Sequence, residues 1–149
     1  MDADDEPKGN VIIGVLGTDV HVVGYQLLAA AVERAGFAVT RLGAANEQDD
    51  FIKAAVETAA EAILVSSTAG QAALDGRGFR QRMTEAGLDC LLYIGGNLTV
   101  GSQADWAETE AYFRDLGFDQ VFPATTTLEQ AVAALERDMA GRSGRGTNP

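Results

Sequence analysis

The chain has 149 residues, of which 46% are hydrophobic and 22% charged, enough for one domain with a substantial core. Its formal net charge is -11, from 22 acids against 11 bases, and no Lys/Arg cluster offsets it, so neither nucleic acid nor an anionic membrane surface is expected as a partner. A single cysteine, Cys90, excludes an internal disulfide and points to a reducing, cytoplasmic setting.

In chain order, residues 1–10, "MDADDEPKGN", are acidic and expected to be disordered, without the basic-then-apolar order of a secretory signal. The first strand is "VIIGVLG" (11–17). A helix follows, its face set by Val23, Leu27, Ala31 and Ala35 at every fourth residue. "FAVTRLG" (37–43) is the second strand, and Phe51, Ala55 and Ala59 mark the next helix. "AILVSS" (62–67), "CLLYIGG" (90–96) and "QVFP" (120–123) complete five strands, with Cys90 read as a small buried hydrophobe. Leu128, Val132, Leu135 and Met139 give the face of the last helix, with Thr126 and Glu129 as its capping box. Gly36, Gly87 and Gly117 stand where helices should end in a left-handed residue. No apolar run approaches the roughly 20 residues that span a bilayer. The domain is expected over 11–140, with "GRSGRGTNP" (141–149) as a disordered tail.

Strand and helix alternate about five times, and the strands are apolar through most of their length, as when both sheet faces are covered. This predicts an α/β fold: a single flavodoxin-like, doubly wound parallel sheet of five strands in the order 2-1-3-4-5. Ligands of such sheets bind beyond the carboxyl ends of the strands. Three loops should meet there: "GTDVHVVG" (17–24), "SSTAGQAALDG" (66–76) and "GGNLTVG" (95–101). The first carries the only histidine, His21, with Asp19 two residues before it, placed to accept the second ring N–H. Gly17, Gly24, Ser66, Ser67, Gly70, Gly95 and Gly96 are small and together suggest a cavity.

Several chemistries are excluded by residue type. Gly14, Gly17 and Gly24 have the wrong spacing for a dinucleotide fingerprint, and there is no P-loop lysine. One His and one Cys, far apart, do not make a zinc site. No serine sits in a nucleophile elbow. A phospho-receiver would need an aspartate after strand three and a lysine after strand five, where this chain has Ser66–Ser67 and Phe122–Pro123. What remains is one imidazole, suited to a metal whose other positions a cofactor fills.

Asp19-Val20-His21-Val22-Val23-Gly24, followed by Ser66–Ser67 and Gly95–Gly96, resembles the cobalamin-binding domain family. Within it the likeness is to the small subunits of glutamate (methylaspartate) mutases, from about residue 11 to 139. It includes "DFIKAAVETAAEAILVSS", "GQAALDGRGFRQRMTEAGL", "YIGGNLTVG" and "LGFDQVFPATT". Ten residues precede strand one, whereas methyl carriers of the family have a helical cap there. The chain departs from the family's "SSLYG" and "PPGT" runs with Ser66-Ser67-Thr68-Ala69-Gly70 and Pro123-Ala124-Thr125-Thr126, which is expected to reshape contacts to the cofactor tail or the partner.

The resemblance implies a cofactor, adenosylcobalamin, with His21 as axial cobalt ligand in place of the dimethylbenzimidazole and Asp19 as its partner. It implies that Thr18, Val20, Val22, Gly24, Ser66, Ser67, Thr68, Gly70, Gly95, Gly96, Asn97, Pro123 and Thr125 also contact the cofactor. The implied activity is an isomerase interconverting L-glutamate and 3-methylaspartate by radical carbon-skeleton rearrangement. No catalytic residue is expected in this chain, since no arginine lies in the glycine runs of the three loops to hold glutamate. A large TIM-barrel subunit is implied as the substrate-binding partner, two small with two large subunits. The alternatives are a cobalamin-binding module of another class, a corrinoid methyl carrier or sensor, and a flavodoxin-like protein that ignores cobalamin.

Overall fold

The computed structural model describes residues 7–17, 23–68, 75–98 and 106–146. Five strands alternate with helices: β1 (Asn10–Val15), α1 (Val23–Arg34), β2 (Ala38–Arg41), α2 (Gln48–Thr58), β3 (Ala62–Thr68), α3 (Phe79–Glu85), β4 (Leu91–Asn97), α4 (Trp106–Asp115), β5 (Gln120–Phe122) and α5 (Leu128–Gly146). The strands form one parallel sheet in the order β2-β1-β3-β4-β5, as the sequence predicts. The order reverses between β1 and β3, whose pairing runs from Val11↔Ala62 to Val15↔Ser66.

Each central strand is apolar at consecutive positions because its side chains alternate between two buried layers. Ile12, Ile63, Leu92 and Ile94 pack with Phe51, Phe79 and Phe113 on one face. Val11, Ile13, Leu64 and Tyr93 pack on the other with Tyr25, Ala29, Val32 and Leu135. Phe79 holds the first layer by edge-on contacts with Phe51 and Phe118 at 5.7 and 6.1 Å between ring centres. Arg80 ties α3 across the sheet edge: its Nε donates to the Gly117 carbonyl at 3.0 Å, and its Nη2 pairs with Asp119 at 2.7 Å. Gly36, Gly87 and Gly117 have φ of 107°, 81° and 107°, the left-handed conformation expected at helix ends. Cys90 is buried.

Three local expectations change. The buried stripe of α1 is Tyr25, Leu28, Ala29 and Val32, whereas Leu27 is 54% exposed. A row taken every fourth residue drifts about 40° per step around a helix with 3.6 residues per turn, so a row at that spacing cannot track the buried stripe. The cap of α5 is one residue later than predicted. Gln130 N–H donates to Thr127 Oγ1 at 3.1 Å and Thr127 N–H to Gln130 Oε1 at 2.9 Å, so the box is Thr127–Gln130 and not Thr126–Glu129. The same helix runs to Gly146, past residue 140. No helix among the described residues is long and apolar enough to cross a membrane.

Candidate functional site

At the carboxyl ends of β3, β4 and β5, on the side covered by α1 and α5, the sheet and helices leave a cleft of about 200 Å³. The alternation that buries Leu64 and Tyr93 carries Ser66 and Gly95 to the same face two residues on, where they line it. Ser66 and Gly95 are register partners, as are Ser67 and Gly96. Phe122, Pro123 and Ala124 close the β5 side, while Thr127, Leu128 and Ala131 form the α5 wall and Gly24 and Leu28 the α1 wall.

Glycine is needed here for different reasons at different positions. Gly96 has φ of 121°, and a Cβ there would run into the Ser67 carbonyl. A Cβ on Gly95 would stand 3.3 Å from Phe122 Cβ. At Gly24, which lines the cleft, a Cβ would meet nothing within 4 Å among the described residues.

The floor is aromatic and tied down. Tyr93 and Phe122 meet edge-on, with ring centres 5.6 Å apart and planes at 76°. The Tyr93 hydroxyl makes a short hydrogen bond to the Asp138 carboxylate and lies 3.2 Å from the Ala134 carbonyl oxygen. Gln120 Nε2 donates to the same Asp138 oxygen at 3.1 Å. Burial, and then the adjacent Asp138 carboxylate, raise the Tyr93 pKa far above its ordinary value, so the phenol stays a neutral donor.

Of the residues predicted to form the site, Gly24, Ser66, Gly95, Gly96 and Pro123 come together in this cleft. Ser67 does not: strand alternation turns it to the opposite face, where it is 2% exposed and its Oγ has no hydrogen-bond partner among the described residues. Thr125 is exposed and outside the lining. Thr68 and Asn97 end β3 and β4 as register partners at the same edge. Thr18, Asp19, Val20, His21, Val22 and Gly70 lie outside the described residues. Gly17 follows β1 and Val23 opens α1, so the stretch carrying His21 joins the carboxyl end of β1 to the helix that walls the cleft. The sequence reading missed Leu28, Leu64, Tyr93, Phe122, Thr127, Leu128 and Ala131, which resemble ordinary core or cap residues. Counting back by two from Ser66 and Gly95 would have found Leu64 and Tyr93.

A second, more polar concavity lies at the end of β1 on the other face, between Gly17, Asn46, Gln48, Asp75 and Arg77. Gln48 Nε2 bridges the carbonyls of Asp75 and Arg77 at 2.5 and 2.7 Å. Among the described residues, no three His, Cys, Asp or Glu side chains could hold a metal ion by themselves.

The sequence matches the family profile described as the B12 binding domain over residues 9–133. It is 49% identical over 131 residues to the glutamate mutase sigma subunit of Carboxydothermus hydrogenoformans, covering 87% of this chain and 95% of that protein. It is 53% identical over 133 residues to glutamate mutase sigma subunit 2 of Haloarcula marismortui, covering 89% of each. Among solved structures, a cobalamin-binding protein from Desulfitobacterium hafniense superposes with a TM-score of 0.71 at 20% identity, over 87% of this chain and 58% of that one. That likeness shows a shared fold.

Proposed function

The chain belongs to the B12 binding domain family and, within it, to the glutamate mutase sigma subunits, and on that premise we propose that it holds the cofactor of a two-component carbon-skeleton isomerase acting on glutamate. The observation that carries this reading is the cleft itself. Gly24, Ser66 and Thr127 line it, and its floor is the Tyr93–Phe122 pair. A flat aromatic base with a sugar attached, such as the nucleotide tail of a cobalamin, suits an aromatic floor with hydroxyls at the sides. Adenosylcobalamin, when bound, supplies the adenosyl radical through homolysis of its cobalt–carbon bond.

The work of this chain is then to bind and orient. His21 would hold the cobalt through one nitrogen of its neutral ring, and Asp19 would accept from the other, fixing tautomer and orientation. Ser66, Gly95 and Gly96 hold the tail, with Gly24 left bare to admit it. Among the described residues of the cleft there is neither lysine nor arginine, so no cationic side chain there would hold the two carboxylates of glutamate. Substrate therefore belongs to the larger subunit that the name of a sigma subunit implies, and the proposed assembly has two small and two large chains. Buried Cys90, the sole cysteine, suits the reducing cytoplasm.

Electron paramagnetic resonance of the Co(II) form, with nitrogen-15 in histidine, tests the ligand. The wild type is expected to show splitting from a labelled axial nitrogen and His21→Ala to lose it. Asp19→Asn should keep the signal while weakening affinity or activity roughly 10–100-fold. Splitting from unlabelled dimethylbenzimidazole nitrogen in the wild type would refute the assignment of His21.

A further inference from the structure

We infer that Asp138 and Tyr93 are positioning residues that set the width of the cleft, a role resting on the reading of that cleft as the seat of the cofactor's nucleotide tail. The argument starts from one helix with two duties. The first turns of α5 supply Thr127, Leu128 and Ala131 to the cleft wall, and further along the same helix Ala134 and Asp138 meet the Tyr93 hydroxyl. Ala131 and Asp138 are two turns apart, about 10 Å along the axis, and a helix passes a tilt at one point to the other almost undiminished.

The sheet side of the contact is also shared with the cleft. Tyr93 is its floor, and its ring fixes Phe122 edge-on at 5.6 Å. Gln120, which donates to Asp138 at 3.1 Å, opens the same short strand that ends at Phe122. One carboxylate thus fastens β4, β5 and α5 together directly beneath the opening between them. Arg137, 3.6 Å from the other Asp138 oxygen, leaves the Tyr93-bound oxygen free for this contact.

Packing alone would not need it. Phenylalanine at 93 would fill the same layer, whereas the hydroxyl fixes how far α5 stands from the sheet. A carboxylate accepting from a neutral phenol is a stronger tie than a neutral pair, and it loses most when one partner is removed.

The test compares adenosylcobalamin with adenosylcobinamide, which keeps the corrin and upper ligand but lacks the nucleotide tail, binding each to the full chain by absorbance titration. Tyr93→Phe and Asp138→Ala are each expected to weaken adenosylcobalamin about tenfold while leaving adenosylcobinamide unchanged. The double variant should be little worse than either single one, since both remove the same tie. Asp138→Asn, which keeps an acceptor oxygen without its charge, should fall between wild type and Asp138→Ala. Equal losses for both corrinoids, or no loss for either, would overturn the role of the pair while the cleft reading stands. Wild-type protein that binds both corrinoids equally well would instead remove the cleft reading, and this inference with it. Tyr93→Phe guards against misfolding as an explanation, because it deletes a single oxygen atom.

Discussion

At Gly24 an added Cβ meets no heavy atom of the described residues within 4 Å, whereas at Gly96 it would collide with the Ser67 carbonyl on a backbone already at φ of 121°. Both line the same cleft, and their tolerances are opposite. Gly24→Leu places a side chain in the cleft and removes a glycine from the first turn of α1, where no interior helix bond is at stake. Thermal stability should hold or rise while adenosylcobalamin affinity falls at least about tenfold, as the base and the new side chain compete for one volume. Gly96→Ala should cost about 2–6 kcal/mol in urea unfolding, from left-handed strain plus overpacking against a strand. A Gly24→Leu variant that binds cofactor like the wild type would show that the tail does not pass that position.

The last helix shows at the scale of an element what its sequence left undecided. Thr125, Thr126 and Thr127 stand in a row, and both Thr126–Glu129 and Thr127–Gln130 satisfy the capping-box spacing. The structure selects the second through two reciprocal hydrogen bonds. Thr127→Ala is therefore expected to destabilise the protein by about 1 kcal/mol in urea unfolding, and Thr126→Ala by less than about 0.5 kcal/mol. Elements with one strong period were readable: strands apolar at consecutive positions gave the doubly wound sheet, and Phe51 and Ala55 gave the buried side of α2, although Ala59, read on the same row, is the exposed left-handed cap that ends the helix. The buried side of α1 was not, because its alanines leave the hydrophobic stripe ill-defined on both flanks. The cleft was half legible. Gly95, Gly96 and Ser66 signal space by what they lack, but Tyr93 and Phe122 read as core because they are core on one edge and cleft floor on the other.

At the scale of the molecule, the described lining of the cleft offers no cationic side chain to a dicarboxylate, so the purified chain alone is expected to show no turnover of glutamate with adenosylcobalamin. Methylaspartate should form only once a large mutase subunit is added, and turnover by the chain alone would refute the division of labour. A corrinoid methyl carrier would stay inactive in both assays. A subunit that works only in company must also survive alone. The sheet is bordered by its two shortest strands, β2 with four residues and β5 with three. Exposed strand borders are where chains add to one another and aggregate, and borders this brief present few unpaired backbone groups to a neighbour. Borders of four and three residues leave little backbone on which a second copy could extend the sheet.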